Sequence, residues 1–344
     1  MYTFGDIHRD PVTGERTTPA QQLRNTIERV KLADELGLDW FGIGEHHRTD
    51  YSISAPATVL AAAATVTERI RLGSAVTVLS TEDPVRVYQQ FATIDLLSGG
   101  RAELTAGRGS FIESFPLFGA TLNDYDALYE EKLALLLEID RNERVTWSGH
   151  FRPALSDAQI LPRPLNDHLD IWVATGGNPA SSARAGKLGL PVNYAIIGGL
   201  PERFAPLVDH YRKHAAQAGH DVAALKVAVS GFGFVADDKT KAKSTFLPYW
   251  LDSMRTISAE RGFPTPTPLA FENETSARGA LFVGGPNDIA DRIIALHGHL
   301  QHDRQAFQMD LSGMPQREVL RSIELLATEV KPQVDRELGA AVAA

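Results

Sequence analysis

The sequence predicts an α/β protein folded as a single (β/α)8, or TIM, barrel. Three observations lead there. Strand-like runs alternate with amphipathic helices eight times. The chain of 344 residues exceeds the roughly 250 that such a barrel needs. Polar and glycine-rich clusters gather where the strands end. Regular alternation implies a parallel sheet with right-handed crossovers, and a count of eight strands favours closure over an open doubly wound sheet.

Tyr2–Phe4 is a short first strand. A helix over Pro19–Leu36 follows, with Leu23, Ile27, Val30 and Leu36 at helical spacing, and Gly37 stops it. Asp39–Gly44 is the second strand and Ala55–Glu68 the second helix, whose alanine run permits close packing. Arg71–Leu79 forms the third strand, and Pro84 opens a helix that runs to Leu97. Arg101–Ala106 is the fourth strand, followed by an amphipathic helix over Asp124–Ile139.

The rhythm breaks at about 145–161, where Trp147-Ser148-Gly149-His150-Phe151 centres a hairpin insertion. Strand five, Ile171–Thr175, precedes a helix at Pro179–Lys187; strand six, Val192–Ile196, precedes a helix at Pro201–Ala218. Lys226–Ala236 is strand seven. Residues about 240–280 read as an irregular insertion or lid, with Pro264, Pro266 and Pro268 close together. A helix at Pro286–His297, a strand at Phe307–Leu311 and a helix at Pro315–Val330 complete one domain over 1–344.

Hydrophobic residues make up 43% of the chain and charged ones 22%, ordinary values for a globular protein. The net charge of −9 without a long basic run disfavours nucleic acid or an anionic membrane as partner. No run reaches the roughly 18–20 apolar residues of a membrane span, and the start lacks a signal-peptide pattern. The absence of cysteine excludes disulfides, thiolate metal sites and cysteine nucleophiles. A cytoplasmic enzyme is the expectation.

The most informative stretch is Phe41-Gly42-Ile43-Gly44-Glu45-His46-His47-Arg48. An apolar strand ending in a carboxylate, two imidazoles and a guanidinium has little structural reason to do so, because each group is expensive to desolvate. A catalytic mouth at the carboxyl end of a barrel strand supplies one. Neighbouring strand residues point to opposite faces, so His46 and His47 are not expected to share a pocket. That spacing also argues against a metal site, and none is expected.

Anion-binding signals cluster after strands four to six. Gly107-Arg108-Gly109-Ser110 sets a guanidinium, suited to phosphate, between flexible positions. Thr175-Gly176-Gly177-Asn178-Pro179-Ala180-Ser181-Ser182 opens a helix whose free amides are expected to make an anion site, and Ile197-Gly198-Gly199 follows strand six. Neither a dinucleotide fingerprint nor a P-loop is present. A mononucleotide such as a flavin is the expected cofactor.

These residues bring a family with them. Gly44-Glu45-His46-His47 resembles the bacterial luciferase-like, flavin-dependent monooxygenases. So do Gly73–Leu79 with Asp83-Pro84-Val85-Arg86, and Asp95–Arg101 leading into Gly107-Arg108-Gly109. Leu117-Phe118-Gly119 and Ile323-Glu324-Leu325-Leu326 extend the resemblance over essentially the whole chain. It implies an eight-stranded barrel that binds reduced FMN at its mouth and uses O2 on a small organic substrate. The Glu-His-His form looks more like the FMN branch than the deazaflavin-dependent branch.

The resemblance further implies that His46 is the catalytic histidine, a role suited to an imidazole. It gives Ala75-Val76 as a non-proline cis peptide under the flavin, Arg108 as a phosphate ligand and Gly176-Gly177 as backbone donors. With Gly44, Gly107, Tyr125, Thr175 and Gly198, these are the expected cofactor-binding positions. Two departures weigh against light emission: Gly107 replaces a reactive cysteine, and Tyr125-Asp126 replaces a second phosphate arginine. Without a dinucleotide site, a separate reductase is expected to supply reduced flavin. The surplus of small residues on helices two and three, together with the family's habit, predicts a homodimer or dimer of dimers. A deazaflavin-dependent hydride transferase and a non-catalytic flavin-binding protein are the alternatives.

Overall fold

Trp40 explains much of how the barrel is filled. Its indole lies inside the sheet, and Gly42 and Gly73 leave the space it occupies: a Cβ on Gly42 would come within 2.2 Å of the ring and one on Gly73 within 2.4 Å. Tyr2, Trp40 and Ala306, with Phe4 and Ala75 against them, form an interior cluster separate from the larger core between sheet and helices. Beneath it, the Arg304 guanidinium sits between the rings of Trp40 and Trp172, 4.8 and 4.6 Å from their centroids. The fully buried Glu103 carboxylate pairs with it at 2.7 and 2.8 Å. The interior is therefore plugged by side chains near the start of the strands and leaves a cavity at their carboxyl ends.

A computed structural model describes residues 1–109, 111–262 and 264–343. The barrel strands are β1 (Tyr2–Thr3), β2 (Trp40–Ile43), β3 (Arg71–Ser74), β4 (Ala102–Gly107), β5 (Asp170–Thr175), β6 (Val192–Ala195), β7 (Val227–Val235) and β8 (Arg304–Gln308). Each pairs in parallel with the next, and β8 pairs with β1, which closes the ring of eight. The intervening helices are α1 (Pro19–Glu35), α2 (Pro56–Ala64), α3 (Pro84–Ser98), α4 (Tyr125–Arg141), α5 (Pro179–Leu188), α6 (Ala205–Gln217), α7 (Lys239–Arg261), α8 (Pro268–Glu274), α9 (Pro286–Leu300), α10 (Gln316–Leu325) and α11 (Lys331–Ala343). Side chains cap several of them: Asp83 accepts from Val85 N, Asn178 from Ala180 N and Asp238 from Lys241 N. Among the described residues, no helix is long and apolar enough to cross a membrane.

The structure corrects four expectations. The third strand is two short pieces, Arg71–Ser74 and Thr77–Val78, flanking a cis Ala75-Val76 peptide. The last strand lies three residues earlier than expected, at Arg304–Gln308, because polar Arg304 and Gln305 begin it. A short strand, Phe282–Gly284, adds to the end of β7. The stretch about 240–280 is mostly helical: α7 has 23 residues and carries Pro248 within it. The proline cluster after 263 hid that helix from a reading based on breakers. The expected hairpin is present as antiparallel Arg144–Trp147 and Leu155–Gln159.

Candidate active site

The carboxyl ends of the strands surround a cavity of about 490 Å³. His46, Ala75, Val76, Gly107, Arg108, Tyr125, Thr175 and Gly176 all line it. Gly44, Gly177 and Gly198 do not. Gly44 is a packing position, since a Cβ there would meet the Phe4 ring at 2.2 Å. Gly177 turns the chain at φ +101°, and Gly198 is exposed on the loop after β6. Ser110 of the arginine motif lies outside the described residues.

His46 is held on every side. Its amide donates to Ile53 O at 3.0 Å, and its ring packs among Phe4, Tyr51 and Phe111 at centroid distances of 4.6, 4.5 and 4.7 Å. Its Nδ1 lies 3.2 Å from Glu113 Oε1. Burial alone would raise the Glu113 carboxyl, but hydrogen bonds from His46 and from backbone amides outweigh it and hold the value below the ordinary one. An ionised carboxylate only accepts, so Nδ1 carries a proton toward Glu113 and Nε2 lies on the other edge of the ring.

His47 also borders the cavity, contrary to the alternating-face expectation. The strand ends at Ile43, so a period of two no longer governs these residues. The two rings still have different surroundings. His47 Nε2 lies 2.8 Å from Glu45 Oε1, and its ring meets Phe118 edge to face. The bond to Glu45 raises the His47 pKa, against an opposing effect of burial. The other oxygen of Glu45 accepts from Val78 N at 3.0 Å. Glu45 thus ties the histidine loop to the chain just beyond the cis peptide.

Arg48 fixes the outer wall. Its guanidinium bonds Asp50 at 3.1 Å and Glu260, near the end of α7, at 2.5 and 2.8 Å. It also stacks over Phe111, 4.9 Å from the ring centroid. Ser253 and Ile257 of α7 reach the cavity. The insertion is therefore a wall of the site, joined by an ion pair to the loop that carries His46.

The opposite end is built for an anion. Arg108 donates to Ser181 Oγ at 3.3 Å, pairs with exposed Asp126 at 2.5 Å and lies over the Tyr125 ring at 5.1 Å. Tyr125 donates to Gly109 O at 2.7 Å, which fixes the turn after β4. The start of α5 faces the same space, but Pro179 has no N–H and the Ala180, Ser181 and Ser182 amides are bonded to Asn178, so the Gly176-Gly177 turn rather than the helix amides offers backbone to an anion. A Cβ on Gly176 would meet nothing within 4 Å, so its backbone is open to a ligand. Thr175 Oγ1 and Asn193 Oδ1 are buried on cavity-lining residues and meet no hydrogen-bond partner among the described residues. A cationic cradle, unpartnered polar atoms and an apolar floor suit a flavin-type cofactor that carries a phosphate.

Sequence reasoning missed Glu113, Tyr51, Phe111 and Asp6, whereas Ser181, which bonds Arg108, lies within the glycine-led run after strand five. Only Glu113 had a local signal, three residues beyond the arginine motif. The others reach the cavity from loops or helix ends that no strand-end rule identifies.

The sequence profile described as luciferase-like monooxygenase matches residues 3–302. The fold is similar to that of the monooxygenase RslO1 from Streptomyces bottropensis, with 23% identity, TM-score 0.83, and coverage of 96% of this chain and 98% of that one. It is similar to the oxygenating constituent of 3,6-diketocamphane monooxygenase from Pseudomonas putida, solved with FMN (20% identity, TM-score 0.73, 92% and 95% coverage). It is also similar to an F420-dependent secondary alcohol dehydrogenase solved with an F420-acetone adduct (16% identity, TM-score 0.73, 97% and 98% coverage). Profile and architecture agree: this chain is a member of the luciferase-like monooxygenase family.

Proposed function

We propose that the protein is an FMN-dependent monooxygenase that receives reduced FMN from a separate reductase and uses O2 on a small organic substrate. One observation supports this above the rest. The Arg108 cradle, the Ala75-Val76 floor and the His46–Glu113 pair all border a single cavity. Arg108, the Ser181 hydroxyl and the open Gly176 backbone would hold the phosphate, and Ala75, Val76 and Gly107 would lie along the ring system. When bound, reduced FMN supplies the electrons with which O2 is activated.

The protein's own residues supply binding, proton handling and shielding. Glu113 orients the His46 ring and leaves Nε2 to take or give a proton on the substrate side. Phe4, Tyr51 and Phe111 hold that ring in place. The Arg48–Glu260 pair keeps α7 against the mouth, where Ser253 and Ile257 exclude water.

A second reading, hydride transfer with a deazaflavin, is supported by the likeness to the F420-dependent enzyme. The test is oxygen uptake by the protein with photoreduced FMN across aldehydes, ketones, sulfonates and amines, alongside the absorbance of any co-purified cofactor. Substrate-dependent uptake with oxygen inserted in the product supports monooxygenation. Deazaflavin absorbance, with turnover unaffected by removing O2, would replace it with the second reading.

A further inference from the structure

Asp6 lines the cavity, is only 2% exposed, and belongs to neither the phosphate end nor the His46–Glu113 pair. Its Oδ2 accepts from Gln308 Nε2 at 3.4 Å and from the Ser312 amide at 3.2 Å. Its Oδ1 meets no hydrogen-bond partner among the described residues.

The charges around Asp6 decide its form. Arg29, the buried cation nearby, is taken by Asp310 at 2.5 Å, and the Thr3 hydroxyl donates to the same Asp310 oxygen. Asp50, the other carboxylate nearby, is satisfied by Arg48 and His8. The remaining titratable neighbours, Tyr2 and Tyr51, are phenols that burial keeps neutral. Asp6 thus sits near two carboxylates with no cation of its own. Burial first, and Asp310 second, push its pKa well above the ordinary carboxylate value. Because Oδ2 accepts two N–H groups, the proton belongs on Oδ1.

We propose that Asp6 acts as a neutral carboxylic acid whose Oδ1–H donates to the oxygen of an uncharged, largely apolar carbonyl substrate. The walls fit such a molecule: Phe4, Tyr51, Phe111, Phe232, Ile257 and Leu311 are apolar or aromatic. Arg108 is the one arginine or lysine on the described wall, and it lies at the anion end. An anionic substrate would meet no free cation near Asp6. This assignment rests on the proposed function for the location of the substrate, but it is testable without turnover.

The experiment measures binding of 2-undecanone, undecane, undecanoate and decylamine to the full chain, with and without FMN, with FMN affinity determined separately. Infrared difference spectra of the carboxylic-acid C=O stretch accompany each titration. The wild type should show that band at neutral pH, shifted by 2-undecanone and unmoved by undecane. Asp6→Leu should bind the ketone about tenfold more weakly, in line with loss of one hydrogen bond, with undecane affinity kept. Asp6→Asn, which keeps a donor, should bind the ketone within about threefold of wild type. Ketone affinity should fall as pH rises through the Asp6 titration in the wild type but not in Asp6→Asn. No saturable ketone binding, equal ketone binding by Asp6→Leu, tighter binding of undecanoate, or loss of the band on adding decylamine would each overturn the assignment. Weak FMN binding with these ketone results intact would count against the flavin reading alone.

Discussion

Replacing Arg108 with alanine tests how the cofactor is held. The guanidinium is about one-fifth exposed and touches Ser181, Asp126 and the Tyr125 ring. A charge-assisted hydrogen bond to a group this well covered contributes roughly 1.5–3 kcal/mol. FMN should therefore bind about ten- to a hundredfold more weakly to Arg108→Ala. Riboflavin lacks the phosphate and should lose less than about threefold. Asp126 competes with the phosphate for the same guanidinium, but it is 68% exposed. Such a pair is worth at most about 1 kcal/mol, so Asp126→Asn should tighten FMN by up to about fivefold. Fluorescence titration of both flavins against wild type and the two variants, at low and high salt, reads all of this. Equal losses for FMN and riboflavin would place Arg108 away from the phosphate. Unchanged FMN affinity in Asp126→Asn would remove the competition.

Other outcomes follow from the same geometry. His46→Ala should slow turnover about a hundredfold or more while FMN affinity stays near wild type; normal steady-state rates would remove His46 from the mechanism. The pairing of His47 with Glu45 raises the histidine above its ordinary value of 6.5. Its stabilisation should be complete below that value and lost as pH rises through the folded-state value. The difference in urea midpoint between wild type and His47→Gln should accordingly shrink with rising pH, and a difference that grows would refute the pairing. Val66, Leu96 and Leu97 are exposed on and beside α2 and α3, so sedimentation at micromolar concentration should show a dimer or larger. A single species near 37.5 kDa would count against it.

The sequence by itself determined the architecture, because alternation of strand and helix periods is a local property. It also located the end of β2 and the Gly107-Arg108 and Gly176-Gly177 turns, since polar and glycine residues there contradict burial unless a ligand is near. The apolar residues of α3 implied a wider exposed face than the structure has: Val87, Phe91 and Ile94 are buried in the core, and Leu97 is exposed. Only the tertiary structure decided which groups meet. Glu113 is 67 residues from His46, Glu260 is 212 from Arg48, and the Ser312 amide is 306 from Asp6. No periodicity encodes such separations; barrel closure, which sets β8 beside β1, brings the two ends of the chain together. The raised pKa of Asp6 depends on that closure too, because it brings Asp310, 304 residues away, beside a carboxyl that is already buried.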